Sequence, residues 1–123
     1  MTEYCSVAFH SSLTLELSNK LERIQKTCVK IILWDMYMDI DSALEMCGLD
    51  TLLDRRIRRC LDFAKKSTKH TRNRRLFPLN KNLAVARTSA KYQVNFARTN
   101  TYRDSTIPYC QRLLNSDYQA KKQ

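Results

Sequence analysis

One glycine and two prolines in 123 residues leave few places for sharp turns, so helix is the default between breaks. Long apolar runs are missing as well. None approaches the roughly 18 residues that a membrane span requires, and no membrane partner is expected. The N-terminal MTEYCSVAFHSS carries an acid, no arginine and only a short apolar patch. It matches neither a signal peptide nor an Arg-rich transit peptide, which sets the expectation of an intracellular chain, cytoplasmic or nuclear.

Reactive chemistry is equally scarce. There is no GxxxxGK phosphate loop and no HExxH pair. The two histidines, His10 and His70, have no local carboxylate or nucleophile motif, and both read as solvated loop residues. The five cysteines stand 23, 19, 13 and 50 residues apart with no CxxC pair, which excludes the short-spaced ligand pairs of a zinc site. Cys28, Cys47 and Cys60 fall on apolar helical stripes and read as small core hydrophobes, while Cys5 and Cys110 stay open. Asp35, Asp39 and Asp41 read as caps and turn residues rather than as a two-metal site. No cofactor or metal is expected, and the isolated chain reads as a non-enzyme.

What the chain does have is charge, unevenly placed. Its formal net charge is +10. Residues 1–54 carry four basic and nine acidic side chains; residues 55–123 carry eighteen basic and three acidic. Cations that displace condensed counterions from phosphates supply non-specific nucleic-acid affinity, so the basic half is the candidate contact surface. For any single Lys or Arg, a solvated helix face is the plainer reading.

The spacing predicts a mainly α fold, a small bundle of three to four helices in one domain spanning residues 1–123. A chain of this length has room for one core. The first long helix, about 14–33, places Leu17, Leu21, Ile24, Cys28 and Ile31 at steps of four and three, with Thr14 as N-cap. These heptad-like steps also suit pairing with another helix. Asp39 or Asp41 opens a short helix, about 41–47, and Gly48 closes it as a left-handed cap. Thr51 and Asp54 have capping-box spacing for a third helix, about 52–67, with Leu53, Ile57, Cys60, Leu61 and Ala64 as its stripe. Its arginines and tight entry turn suit a helix-turn-helix, although no spacing unique to that motif is present.

A basic loop of about 68–105 follows, interrupted by Pro78. Within FARTNTYRDSTIPYCQRLLN, Phe96, Tyr102 and Tyr109 alternate with Arg98 and Arg103, as on base-stacking surfaces. The first part of that stretch reads as extended loop. The second opens a last helix, about 106–115, turning Ile107, Cys110, Leu113 and Leu114 inward. The candidate contact residues are Arg55, Arg56, Arg58, Arg59, Lys65, Lys66 and Lys69, with Arg98 and Arg103. RNA or DNA is the expected partner of this half. The alternative is a helical interaction module docking through the stripe from Leu17 to Ile31.

Three stretches, EYCSVAFHSSLTLELSNKLERIQKTCVKIIL, SALEMCGLDTLLDRRIRRCLDFAKK and VNFARTNTYRDSTIPYCQRLLN, run in this order from Glu3 to Asn115. Together they resemble the C-terminal portion of the reverse transcriptase polyprotein of non-LTR, LINE-type retrotransposons of the RTE and jockey-like groups. The parent family is an RNA-directed DNA polymerase whose palm carries an adjacent aspartate pair. This sequence has no such pair. The resemblance therefore implies the region beyond the palm, a thumb and its extension, as a non-catalytic fragment that holds nucleic-acid backbone. The missing palm region is a further implied partner.

Overall fold

The computed structural model describes residues 3–81 and 90–121. Among these residues the protein is mainly helical, with no strand beyond one isolated antiparallel bridge between Leu79 and Tyr92. The six α-helices are α1 (Ser6–Phe9), α2 (Leu15–Leu33), α3 (Ile40–Met46), α4 (Leu52–Lys69), α5 (Asn100–Arg103) and α6 (Thr106–Ala120). None is long and apolar enough to cross a membrane.

The helix ends follow local chemistry. Thr14 Oγ1 accepts from the Leu17 amide at 3.3 Å, and Asp39 Oδ1 from the Ser42 amide at 3.0 Å. Hydrogen bonding from Ser42, its side chain first and then its amide, holds the Asp39 carboxyl below the usual carboxylate range. At Thr51 the hydroxyl accepts from the Asp54 amide at 3.1 Å and donates to Asp54 Oδ2 at 2.7 Å, an aspartate version of the capping box. Gly48 ends α3 at φ +62. The Leu49 amide reaches back to Leu44 O at 2.9 Å and the Gly48 amide to Glu45 O at 3.0 Å, the paired bonds of a Schellman stop.

Two buried clusters form, where the chain length suggested one core. The larger joins Cys60 and Ala64 of α4 to Cys110 and Leu114 of α6, with Phe77 inserted from the intervening segment and Val7 of α1 packed alongside. The smaller holds Val29 of α2 against Ala43 and Leu44 of α3. Between them runs a polar seam where α2 crosses α4. Arg56 is 0 % exposed there, and its Nη2 donates to Ser18 Oγ at 3.0 Å and Glu22 Oε1 at 3.4 Å. Glu22 Oε2 and Gln25 Oε1 also accept from the Leu52 amide, at 3.3 and 3.1 Å, and Gln25 Nε2 donates to Asp50 O at 2.9 Å. A buried guanidinium and an open helix N-terminus both need acceptors, so α2 turns its polar face inward.

That choice corrects the apolar stripe expected to lie in the core. Leu17, Ile24, Cys28 and Ile31 are exposed, and only Leu21 of that set is half-buried. Cys28 is thus no core residue; Cys47 is half-buried, Cys60 is buried, and Cys110, left open by its sequence context, is buried too. On α4, Cys60 and Ala64 of the expected stripe are buried and Ile57 and Leu61 half-buried, but its first member is not. Leu52, Arg56, Cys60, Ala64 and Ser67 face inward, and Leu53 faces solvent.

The stretch 68–105 is also more ordered than a loop. Its first two residues complete α4, Arg74–Leu76 makes a 3₁₀ turn, and α5 forms a single turn capped by Thr99. Residues 82–89 of that stretch lie outside the described residues. Two polar residues on one face of α6 hold its backbone. Gln111, fully buried, donates to Leu76 O at 2.8 Å and accepts from the Asn95 amide at 2.9 Å. Asn115 accepts from the Tyr92 amide at 2.8 Å and donates to Tyr92 O at 2.9 Å.

The N-terminal residues, outside the helices expected from sequence, supply α1 and a 3₁₀ turn at His10–Ser12. His10 is half-buried rather than solvated, with Nε2 3.1 Å from the Tyr109 hydroxyl. Burial, and then the nearby Arg56 charge, lower its pKa from 6.5.

Two expectations follow from the seam. Glu22→Ala leaves a buried guanidinium without its carboxylate and should cost about 2–3 kcal/mol in urea unfolding, while Arg56→Met should stay within about 1 kcal/mol of wild type. Equal losses from both would refute the account. Because the folded-state pKa of His10 is depressed, the unfolded chain binds the extra proton, and stability present above about pH 6.5 falls as pH drops below it. The melting temperature should therefore be lower at pH 5.5 than at 7.5, and His10→Gln should shrink that difference; an undiminished difference would assign it elsewhere.

Candidate nucleic-acid interface

On α4 the arginines expected to meet phosphates are largely engaged within the protein. Arg55 Nη2 lies 2.7 Å from Glu3 Oε2, and Arg59 Nη2 shares the same oxygen at 3.3 Å while its Nη1 donates to Glu3 O at 3.2 Å. Arg58 pairs with Asp50 at 2.7 Å. Arg56 is buried and cannot present its guanidinium to a phosphate. Lys65 pairs with Asp117 at 3.1 Å, and Arg103 forks onto both oxygens of Asp104 at 3.1 and 3.3 Å. That fork, with its charge, holds the Asp104 carboxyl below the usual range.

Lys66, Lys69 and Arg98 are exposed and have no ion-pair partner among the described residues. Lys66 and Lys69 open a run that continues through Arg72, Arg74 and Arg75, all exposed, with no carboxylate between 66 and 75. The end of α4 brings the first two together, and the Asn73-capped 3₁₀ turn presents Arg74 and Arg75 directly beyond it. No ion pair among the described residues joins Arg98 or Arg103 to this group. Arg72, Arg74 and Arg75 were outside the residues singled out from sequence. The available signal was five cations without a neutralising acid.

The cation run borders two cavities that share lining residues. One, of about 200 Å³, is lined by Thr68, Arg74, Phe77, Leu79, Lys91 and Tyr92. The next, of about 320 Å³, shares Thr68, Lys91 and Tyr92 and extends toward α6. No periodicity marks Lys91 or Tyr92 for this place. Asn115 and the Leu79–Tyr92 bridge put them there.

The second candidate surface is the outward face of α2. Leu17, Ile24 and Ile31 stand on it, followed by Ile32 and Trp34, the last 77 % exposed. Its outer edge carries Lys20, Arg23 and Lys30, with Lys20 held by Glu16 at 2.7 Å and Lys30 5.0 Å from the Tyr37 ring centre.

Cys110 Sγ donates to Cys60 O at 3.8 Å, and burial, with Cys60 beside it, pushes its pKa up to about 12. Among the described residues no group of three or more His, Cys, Asp or Glu side chains is placed to hold a metal ion. Comparison with known protein families, with curated proteins and with solved structures finds no match in any of the three.

Proposed function

We propose that the chain is a non-catalytic module that binds nucleic-acid backbone, descended from the post-palm, C-terminal part of a LINE-type reverse transcriptase. The observation that carries the binding reading is the run Lys66, Lys69, Arg72, Arg74 and Arg75, exposed and without a carboxylate partner among the described residues. Cations already paired within the fold release fewer counterions when a phosphate approaches, so these five outweigh the α4 arginines. The ancestry rests on the three ordered stretches from Glu3 to Asn115 and on the absence of an adjacent aspartate pair.

A second reading is supported by the exposed face of α2. An apolar stripe of this length, unpartnered within the fold, suits a docked helix. Lys20, Arg23 and Lys30 along its edge favour a partner helix with acidic flanks over a second copy of this chain, which would bring its own cations against them.

Affinity for an RNA–DNA hybrid should fall steeply with salt. Replacing Lys66, Arg72, Arg74 and Arg75 with glutamine should reduce the log–log slope by about one per residue that meets a phosphate, whereas Arg55, Arg58 and Arg59 replacements should change it by less than about one in total. An unchanged slope in the first variant would remove the run from the interface. For the second reading, an acidic amphipathic helical peptide should bind the wild type in calorimetry and lose at least about tenfold affinity to Ile24→Lys, Ile31→Lys; equal binding by both would dismiss the stripe.

A further inference from the structure

The cavity of about 320 Å³ lies between the C-terminal turns of α4, the Lys91–Tyr92 segment and the C-terminal half of α6. Four lysines, Lys65, Lys69, Lys91 and Lys121, line it, against one carboxylate, Asp117. Asp117 is already engaged. Its Oδ2 takes Lys121 at 3.0 Å and its Oδ1 takes Lys65 at 3.1 Å, which holds the carboxyl below the usual range. Lys69 and Lys91 therefore face the cavity with no carboxylate partner among the described residues.

Aromatic surface adjoins that charge. Lys91 Nζ lies 5.6 Å from the Tyr92 ring centre and 5.3 Å from that of Tyr118, and both rings line the cavity with Leu114. The backbone there is hydrogen-bonded to two other segments. Asn115 clamps Tyr92 from both sides, and Lys91 O accepts from the Asn80 amide at 2.9 Å. Ammonium groups beside aromatic rings in one concavity match a phosphate joined to a flat heteroaromatic base.

We propose that this cleft holds one nucleotide unit of a single-stranded nucleic acid, its phosphate on Lys69 and Lys91 and its base against Tyr92, Tyr118 and Leu114. The inference rests on the backbone-binding reading above, and adds to it a preference for unpaired strands. A duplex keeps its bases stacked inside and offers this cleft only phosphate. A single strand can turn a base out into it.

The test compares a single-stranded oligonucleotide with a duplex of the same length, at one salt concentration, on the full chain. Tyrosine fluorescence should be quenched by the single strand. Tyr118→Leu and Lys91→Gln, both on the rim, should each weaken single-strand binding about tenfold and leave duplex affinity within about twofold. Equal losses for strand and duplex would reduce the cleft to part of the general cationic surface and overturn the proposal. Saturable quenching by a mononucleotide, with the oligonucleotide no tighter, would assign the cleft to a free nucleotide and overturn the strand assignment. Duplex binding without quenching by any single strand would overturn the cleft alone, whereas no binding of either would sink the underlying reading as well. Should a variant lose its helical circular dichroism, quenching of the wild-type protein decides the matter.

Discussion

Burial of one guanidinium governs how this protein is put together. Arg56 sits inside the α2–α4 crossing, where a charge removed from water needs acceptors close by. Ser18 and Glu22 supply them to Nη2, both from the polar side of α2, while Nε and Nη1 have no hydrogen-bond partner among the described residues. Once that side faces inward, the apolar stripe on the neighbouring side must face outward. The same seam separates the small Val29 cluster from the main core around Cys60 and Phe77, and it receives the first amide of α4 through Glu22 and Gln25.

The fold also redistributes the available cations across the surface. Four arginines on α4 suggest a phosphate-binding helix, yet the fold gives Glu3 to Arg55 and Arg59, Asp50 to Arg58, and the interior to Arg56. The cationic surface that remains lies beyond the C-terminal end of that helix. There the chain is irregular, and polar side chains of α6 fix its path. Gln111 and Asn115 do for this segment what a sheet ladder does for a strand, satisfying backbone groups that would otherwise be buried unpaired.

Local elements were well marked along the sequence. Thr14 and Thr51 cap the helices they were expected to open, Asp39 is the one of the two candidate aspartates that caps α3, and Gly48 occupies the left-handed stop that its position implied. These features depend on a few neighbouring residues, so their cause is contained within the segment that shows the effect. The inward face of α2 was not marked in that way, nor was Arg56 on the inward face of α4. Periodicity selects the most apolar face of a helix, but the partner decides which face is buried, and here the partner brought an arginine. His10 was missed for the same reason: its burial comes from Tyr109, 99 residues away.

The sequence alone determined helix as the dominant structure, the caps that delimit its elements, and an excess of cations after residue 54. Those are properties of composition and of contacts within a turn or two. Tertiary structure decided which of the cations stay available, which stripe of α2 meets solvent, and that Lys91 and Tyr92 stand beside Tyr118 over a common cavity. Each of these depends on residues far apart in the chain meeting in one low-dielectric place, where pairing and desolvation, rather than local propensity, set the outcome.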